Sequence, residues 1–503
     1  MNIFKDRFSE IKKASEPLYK SPKSVQETIE ILRISESGIF EVADGKYSKT
    51  YRFSDVNYAT RSEEEQESFF QRYCRCLNSF DCTFKITVNN KNKDMDVLRN
   101  EVMLKYRNDG FDKMRESYNR IIEEKILEGR QGIEQERYLT ITIERKNFEE
   151  AKAQFATIEA SMFRSFAELG SKLTPLTGNE RLKILHDYYR LGREDEFNFD
   201  IRQGRITGTD FRNEICNTRI KYHPDCFENE GKVGRVLFIK KYPTYLSDRF
   251  FTELTFLPVH SVTSVDVVPV PKDLLQKKYL GIESDIIKQQ RTRNRNNDFS
   301  SDISYATRQK KKDIEEIMNN VRENDESLYY VSVTMIVMAD DRDELESICE
   351  TVDSIAKGAG CAVDTCMYKQ REAVNTTLPI GVRQIETMRT MLTQSLAVLM
   401  PFNVQELCDK NGIYYGVNQI SKNIIVGNRK KLLNGNGFIF GVSGAGKSFQ
   451  AKMEMGSVLL STDDNVIAVD PMNEYEDVTE KYNGTYINIS TNTRNYINPM
   501  DMD

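Results

Sequence analysis

The sequence predicts a multidomain protein of mixed α/β and α+β character. Three observations carry that expectation. Stretches of period-two apolar alternation trade places with helical spacing through residues 36–192, and again through 231–420. At 503 residues the chain exceeds what one hydrophobic core organises, so roughly two to four domains are expected. Near the far end, a glycine-rich octet sits between a short apolar run and a helical pattern, at residues 441–448.

Composition narrows the function classes. Charged residues are 29% and hydrophobic residues 39%, which suits a folded, rather polar protein. A net charge of -6 gives no global positive field, so any DNA contact would be a local patch. The nine cysteines are scattered, the histidines number three, and no zinc-type spacing results. They read as ordinary half-buried thiols in a reducing cytosol. The first 20 residues are charged throughout and lack an apolar core of the signal-peptide kind. The longest apolar runs, 328–339 and 392–402, fall short of the ~20 residues needed to cross a bilayer.

Taken in order, residues 1–35 form a charged N-terminal segment with a helix expected at 25–32. Residues 38–42 and 47–53 alternate around Asp44-Gly45, the signature of a tight hairpin. A helix follows at 63–77, acidic in its first turn, then a strand at 82–88 and a long polar helix over 103–131. Residues 137–143 are a β-branched strand and 147–169 a helix, with a short strand at 172–176 and a helix at 179–191. This gives one α/β domain, 36–192, with helices on one face of its sheet. Residues 193–230 are polar and irregular, a junction.

The second block, 231–420, repeats the alternation with strands at 235–240 and 261–270 and a helix at 244–251. A long charged helical stretch is expected over 273–320. Its basic segments 288–295 and 308–312 read as a solvated face rather than a phosphate-contacting one, since no aromatic is interleaved to stack on bases. Then come a strand at 328–338, a helix at 342–356, a strand at 361–367, an apolar helix at 385–399 and a β-element at 412–415. No internal repeat stands out.

The last unit, 421–503, is a partial nucleotide-binding domain. Gly441-Val442-Ser443-Gly444-Ala445-Gly446-Lys447-Ser448 fits G-x-x-x-x-G-K-[ST], with a strand expected at 437–440 and a helix at 449–460. Its glycines let backbone N–H groups wrap a phosphate. Lys447 offers a compact positive charge, Ser448 a hydroxyl for Mg²⁺, and the helix its positive end. The pattern arises by chance about once in fifty chains of this length. A strand at 465–469 ends in Asp470. That aspartate reads either as a metal-side acid of a simple kinase-type fold or as the end of a neighbouring strand. Glu474 reads either as a water-polarising group or as a carboxylate at a helix start.

Asp470-Pro471-Met472-Asn473-Glu474-Tyr475, after such a loop, resembles the FtsK/HerA-type hexameric pumps. Within that class the chain resembles the large conjugation ATPases of type IV secretion systems, the VirB/TrbE-type family. Lys241-Tyr242-Pro243-Thr244-Tyr245-Leu246, Thr377-Leu378-Pro379-Ile380-Gly381, Met400-Pro401-Phe402, Gly412-Ile413-Tyr414-Tyr415-Gly416 and Ile497-Asn498-Pro499-Met500-Asp501 are similar to the family's stretches. The likeness runs from about residue 236 to the end, with the first 200 residues alike only in pattern. Its Tyr-Tyr-Gly form points to the branch of conjugative transposons in Gram-positive bacteria.

The resemblance implies the start of a RecA-like P-loop ATPase domain that binds ATP and Mg²⁺. Lys447 and Ser448 would hold phosphate and metal, with Asp470 and Glu474 near the γ-phosphate and Glu474 polarising water. It implies a homo-hexamer on the cytoplasmic face of the membrane, held there by other subunits of a conjugation channel, with at most indirect DNA contact. The family's Walker B acid and arginine finger have no counterpart here, because only 56 residues follow Lys447. The ATPase domain is therefore expected to be cut off inside its sheet, and hydrolysis by this chain is an open question. Two alternatives stand beside the motor: a non-hydrolysing assembly subunit of the same machine, and a related hexameric DNA translocase outside secretion.

Overall fold

The structure is a computed structural model that describes residues 22–92, 102–128, 133–271, 326–404, 406–409, 412–418 and 423–490, with isolated positions 99, 100, 312, 319 and 321. It is mixed α/β, with twelve α-helices among the described residues and one antiparallel sheet of 13 strands.

The sheet is built from two copies of one topology. The first comprises β1 (Arg33–Ile34), β2 (Ile39–Ala43), β3 (Lys46–Phe53), α1 (Glu63–Asn78) and β4 (Thr83–Asn92). An insertion with α2 (Asp112–Glu128) precedes β5 (Ile133–Glu144), α3 (Phe148–Leu169) and β6 (Leu173–Pro175). Three helices then lead across: α4 (Gly178–Tyr189), α5 (Ile201–Thr207) and α6 (Phe211–Ile215). The second copy comprises β7 (Ile220–Tyr222), β8 (Phe227–Asn229), β9 (Lys232–Lys241), α7 (Arg249–Thr255) and β10 (Ser261–Pro269). After its own long insertion come β11 (Leu328–Ala339), α8 (Arg342–Gly358) and β12 (Ala362–Thr365).

The spatial order β1-β2-β3-β5-β4-β10-β11-β9-β8-β7 reads the same from both ends. β6 lies beside β3 just as β12 lies beside β9. The copies meet where β4 pairs antiparallel with β10, about a local two-fold at Thr87 and Ser264, whose hydroxyls are 2.8 Å apart. β3 and β9 open at Lys46 and Lys232, α1 and α7 at Glu63 and Arg249, the same distance along the chain. α3 and α8 are capped alike, by Asn147 and Asp341 accepting from Glu150 and Glu344 N–H groups. So the expectation of no repeat is corrected: the repeat lies in the backbone.

Helices cover both sheet faces, not one. α1, α3, α7 and α8 bury Phe69, Phe155, Phe251 and Leu345 in the larger core on one face. On the other, α4, α5, α6 and α9 (Gln370–Thr377) pack Leu185, Ile201, Ile215 and Val374 against Phe40, Phe227 and Ile336. Within this second face the two copies differ. Lys85, Thr140 and Thr50 stand side by side across β4, β5 and β3; the matching positions on β10, β11 and β9 are Val262, Ile336 and Val236. The polar half is covered by residues 376–382, which offer carbonyls rather than side chains. Ser48, Thr142 and Ser264 donate to the carbonyls of Ile380, Gly381 and Thr377. Buried Arg181 donates to Pro379 and Ile380, and Lys85 to Thr376, Leu378 and Val382. The Thr377–Gly381 motif is thus a strap across the sheet.

Several local expectations are corrected. Residues 25–32 hold only a 3-10 turn at Gln26–Thr28, because the chain then extends into β1. The helix expected over 103–131 is only α2, since Asn108 and Gly110 take positive φ ahead of it. The irregular stretch 193–230 contains α5, α6, β7 and β8. The helix expected over 385–399 is instead β13 (Arg389–Leu392), which pairs with β11, followed by α10 (Thr393–Ala397). β11 offers a free ladder edge there, and pairing with it outweighs local helical spacing. The long helix over 273–320 and its basic segments lie outside the described residues, apart from positions 312 and 319.

The lead-in to the glycine loop is tied to the first copy. Phe402 packs edge-on against Phe53, Phe69 and Tyr73, with ring centroids 5.6–5.7 Å apart. Arg137 donates to the Pro401 carbonyl at 2.7 Å, and Asp55 accepts from the Asn403 N–H at 2.9 Å. Beyond it, β14 (Ile413–Val417) and β15 (Ile424–Gly427) form a hairpin on α2, where Val102, Tyr118, Ile122 and Ile126 meet Ile424 and Val426.

Candidate functional site

The loop at 441–448 opens onto α11 (Lys447–Ser461). Gly446 is the N-cap with φ +86°, and Gly444 has φ +80°; a side chain at either would be strained. Gly441 is constrained differently, since an added Cβ would meet Ala445 Cβ and Lys447 Cγ at 3.2 Å. Val442 accepts from the Ala445 N–H at 3.2 Å, closing the turn. No side chain caps α11, so its first-turn N–H groups and the positive end of its dipole face outward at an exposed loop. Lys447 folds back so that Nζ donates to the Val442 carbonyl at 2.9 Å. Gly441, Val442, Ser443, Gly444, Ala445, Gly446, Lys447 and half-buried Ser448 are therefore brought together as one anion-ready turn.

The flanking strands are corrected. Neither 437–440 nor 465–469 is a strand among the described residues. Phe438, Phe440, Ile467 and Val469 are each more than 80% exposed. A strand exists only within a ladder, and among the described residues neither stretch has a hydrogen-bonded neighbour. The rings of Phe438 and Phe440 stack on each other instead, 5.8 Å apart.

Asp470 is engaged locally. Its carboxylate accepts from the Met472 N–H at 3.2 Å and the Tyr475 N–H at 2.8 Å, closing a turn in which Asn473 has φ +59°. That turn leaves Glu474 exposed, just before α12 (Glu476–Lys481). The Tyr475 ring lies under Lys452 of α11, 5.8 Å from its Nζ, so the turn rests on the helix that carries Lys447. Among the described residues no hydrogen bond or ion pair joins Asp470 or Glu474 to Lys447 or Ser448.

Supporting residues escape sequence reading altogether. Arg429 pairs with Glu454 of α11 at 2.8 Å, and Tyr415 of β14 donates to the same carboxylate at 3.1 Å. Its guanidinium lies so close under Gly437 that a Cβ there would meet it at 2.8 Å. Lys430 reaches Asp464 at 2.6 Å and Lys431 reaches Asp409 at 3.3 Å. Three consecutive basic residues thus tie α11, the chain after it and the chain before the hairpin. The basic run is visible in the sequence, but nothing there tells which acids it meets.

The residues present fit a nucleotide's phosphates and Mg²⁺. The glycines leave room for phosphate oxygens against the backbone, Lys447 already holds an oxygen acceptor, and Ser448 carries a hydroxyl of the kind that can bind Mg²⁺. No model of a known protein family matches the chain, and no curated protein is similar to it.

Proposed function

We propose that the chain is the ATP-binding motor subunit of a type IV secretion or conjugative DNA-transfer machine. The observation that carries the reading is the turn at 441–448, with two left-handed glycines and Lys447 holding a carbonyl oxygen at the N-terminus of α11. In this reading residues 421–503 belong to a RecA-like P-loop domain. Backbone N–H groups of 442–448 bind the phosphates of ATP, Lys447 exchanges the Val442 carbonyl for a phosphate oxygen, and Ser448 orients Mg²⁺. The bound nucleotide supplies the free energy; the sheet of two copies docks the motor on other channel subunits. A homo-hexamer at the cytoplasmic face goes with this reading, with DNA contact indirect. Among the described residues no helix is long and apolar enough to cross a membrane, so the membrane would be met through partners.

A second reading is a non-hydrolysing assembly subunit of the same machine. The closed turn around Asp470 and the exposed Glu474 favour it, because among the described residues neither carboxylate bonds to Lys447 or Ser448. The test is equilibrium binding of Mg·ATP to the chain and to Lys447→Ala, followed by ATP turnover. Loss of affinity of roughly tenfold or more in the variant is expected. Equal affinity would sink the nucleotide assignment. Binding without Lys447-dependent turnover selects the assembly subunit; robust turnover selects the motor.

A further inference from the structure

The far end of α11 is held by the insertion between β4 and β5. Arg115 of α2 is fully buried, and its Nε donates to the Leu460 carbonyl, in the last turn of α11, at 3.1 Å. Its other nitrogens are locked by Asp109 at 2.5 and 2.6 Å and by Asp112 at 2.8 Å. The two aspartates hold the guanidinium charged, and it holds Asp109 well below the usual carboxylate range. Arg107 takes the next two carbonyls, Ser461 at 2.8 Å and Thr462 at 3.3 Å, and pairs with Asp463 at 2.7 Å. The Phe111 ring lies 5.7 Å from that of Tyr482. Two cations thus cap the negative end of the helix whose positive end opens at Gly446.

The same insertion reaches α11 by a second route. Tyr118, Ile122 and Ile126 of α2 bury the β14–β15 hairpin, the Tyr118 hydroxyl accepts from the Tyr414 N–H at 3.4 Å, and β14 packs on α11. The phosphate-facing and capped ends of α11 are about 22 Å apart, one rigid helix of 15 residues. A helix held at one end transmits any movement of the other to what holds it.

We propose that the α2 insertion sets the nucleotide affinity of the 441–448 loop, with Arg115 as the positioning residue that fixes the far end of α11. This rests on the nucleotide reading above. Because coupling is reciprocal, Mg·ATP at the loop tightens the insertion as much as the insertion tightens the loop.

The test uses the full chain and hydrogen-exchange mass spectrometry with and without Mg·ATP. In the wild type, Mg·ATP slows exchange at 112–128 as well as at 447–461. Arg115→Met weakens Mg·ATP binding roughly tenfold and confines the added protection to α11 and its loop. Arg115→Lys, which keeps a donor for the Leu460 carbonyl, restores part of both. A purely structural role would leave exchange at 112–128 indifferent to Mg·ATP in the wild type, and that result overturns the proposal. So does wild-type affinity in Arg115→Met. Should that variant fail to fold, Arg107→Ala at the exposed pair is expected to weaken binding roughly two- to threefold, with unchanged binding counting against the proposal. Binding lost in Lys447→Ala but indifferent to both arginines refutes this inference alone. No binding by the wild type removes the nucleotide reading and this inference with it.

Discussion

Lys85 is the most informative single substitution in the sheet. Its ammonium is fully buried on β4, opposite Asp266 across the seam between the copies, and it donates to three strap carbonyls. Burial pulls its pKa from 10.5 down to about 8, with Arg383 adding to the fall and Asp266 opposing it. Lys85→Met has two opposed effects near pH 7. It releases the desolvation cost of the charge, about 3 kcal/mol for a shift of this size. It also leaves three buried carbonyls without that donor, at about 1–3 kcal/mol each. The net expectation is a loss of a few kcal/mol. The pH dependence is sharper. Between pH 8 and 10.5 the unfolded chain holds the lysine proton and the folded one does not, so wild-type stability rises with pH in that window. From pH 7 to 9.5 the gain is about 2 kcal/mol. Buried thiols such as Cys76, pushed up to about 12 by burial, act in the opposite sense in both proteins and cancel in the difference. The assay is urea unfolding by circular dichroism at pH 7, 8, 9 and 9.5, wild type against Lys85→Met. A stability difference that does not widen with pH would refute the buried-ammonium argument.

The strap and the buried imidazole give two more expectations. Gly381 has φ +98°, and an added Cβ would meet Ser48 Cβ at 2.6 Å and Thr142 Oγ1 at 2.7 Å. Gly381→Ala is expected to cost about 2–4 kcal/mol by unseating the strap, read as a lower unfolding midpoint; an unchanged midpoint would show that the strap is not held where it lies. His260 is buried, and among the described residues its Nδ1 has no partner; burial lowers its pKa from 6.5 to about 4 against the opposing pull of Asp187, while Lys232 and Lys91 add to the fall. The unfolded chain takes up that proton first, so stability falls with pH from 6.5 toward 4, by about 2–3 kcal/mol between pH 7.5 and 4.5. His260→Phe should lose that much less over the same range, measured by thermal unfolding; an equal loss would place the acid sensitivity elsewhere.

Much of the scaffold was legible because local signals and burial agree in it. Asp44-Gly45 turns where a hairpin needs it, Ser62 and Glu65 form the capping box of α1, and the period-two run of β11 is a buried central strand. The duplication was not legible, since equivalent positions carry opposite chemistry. Lys85, Thr140 and Thr50 in one copy stand where Val262, Ile336 and Val236 stand in the other. Only hydrogen-bond topology reveals them as partners. At the candidate site the loop was read from its glycines, because positive φ leaves a mark on sequence. For Asp470 and Glu474 the sequence leaves two readings each, and the local bonding the structure adds is that Asp470 closes its own turn. Arg107, Arg115 and Arg429 act through partners as far as 356 residues away in the chain, and no local pattern encodes such a distance.

The strap also bears on how the protein is made. Lys85 and the Thr376 carbonyl that it meets are separated by 291 residues. At ribosomal speeds of about 5–20 residues per second, the first copy waits some 15–60 seconds for its cover. During that interval its bare surface is threonine, serine and lysine, which water satisfies. A valine and isoleucine surface like that of the second copy would invite association with other nascent chains. The polar half of the sheet therefore belongs to the copy that emerges first, and the apolar half to the copy whose cover, α9, follows within a few residues of its last strand.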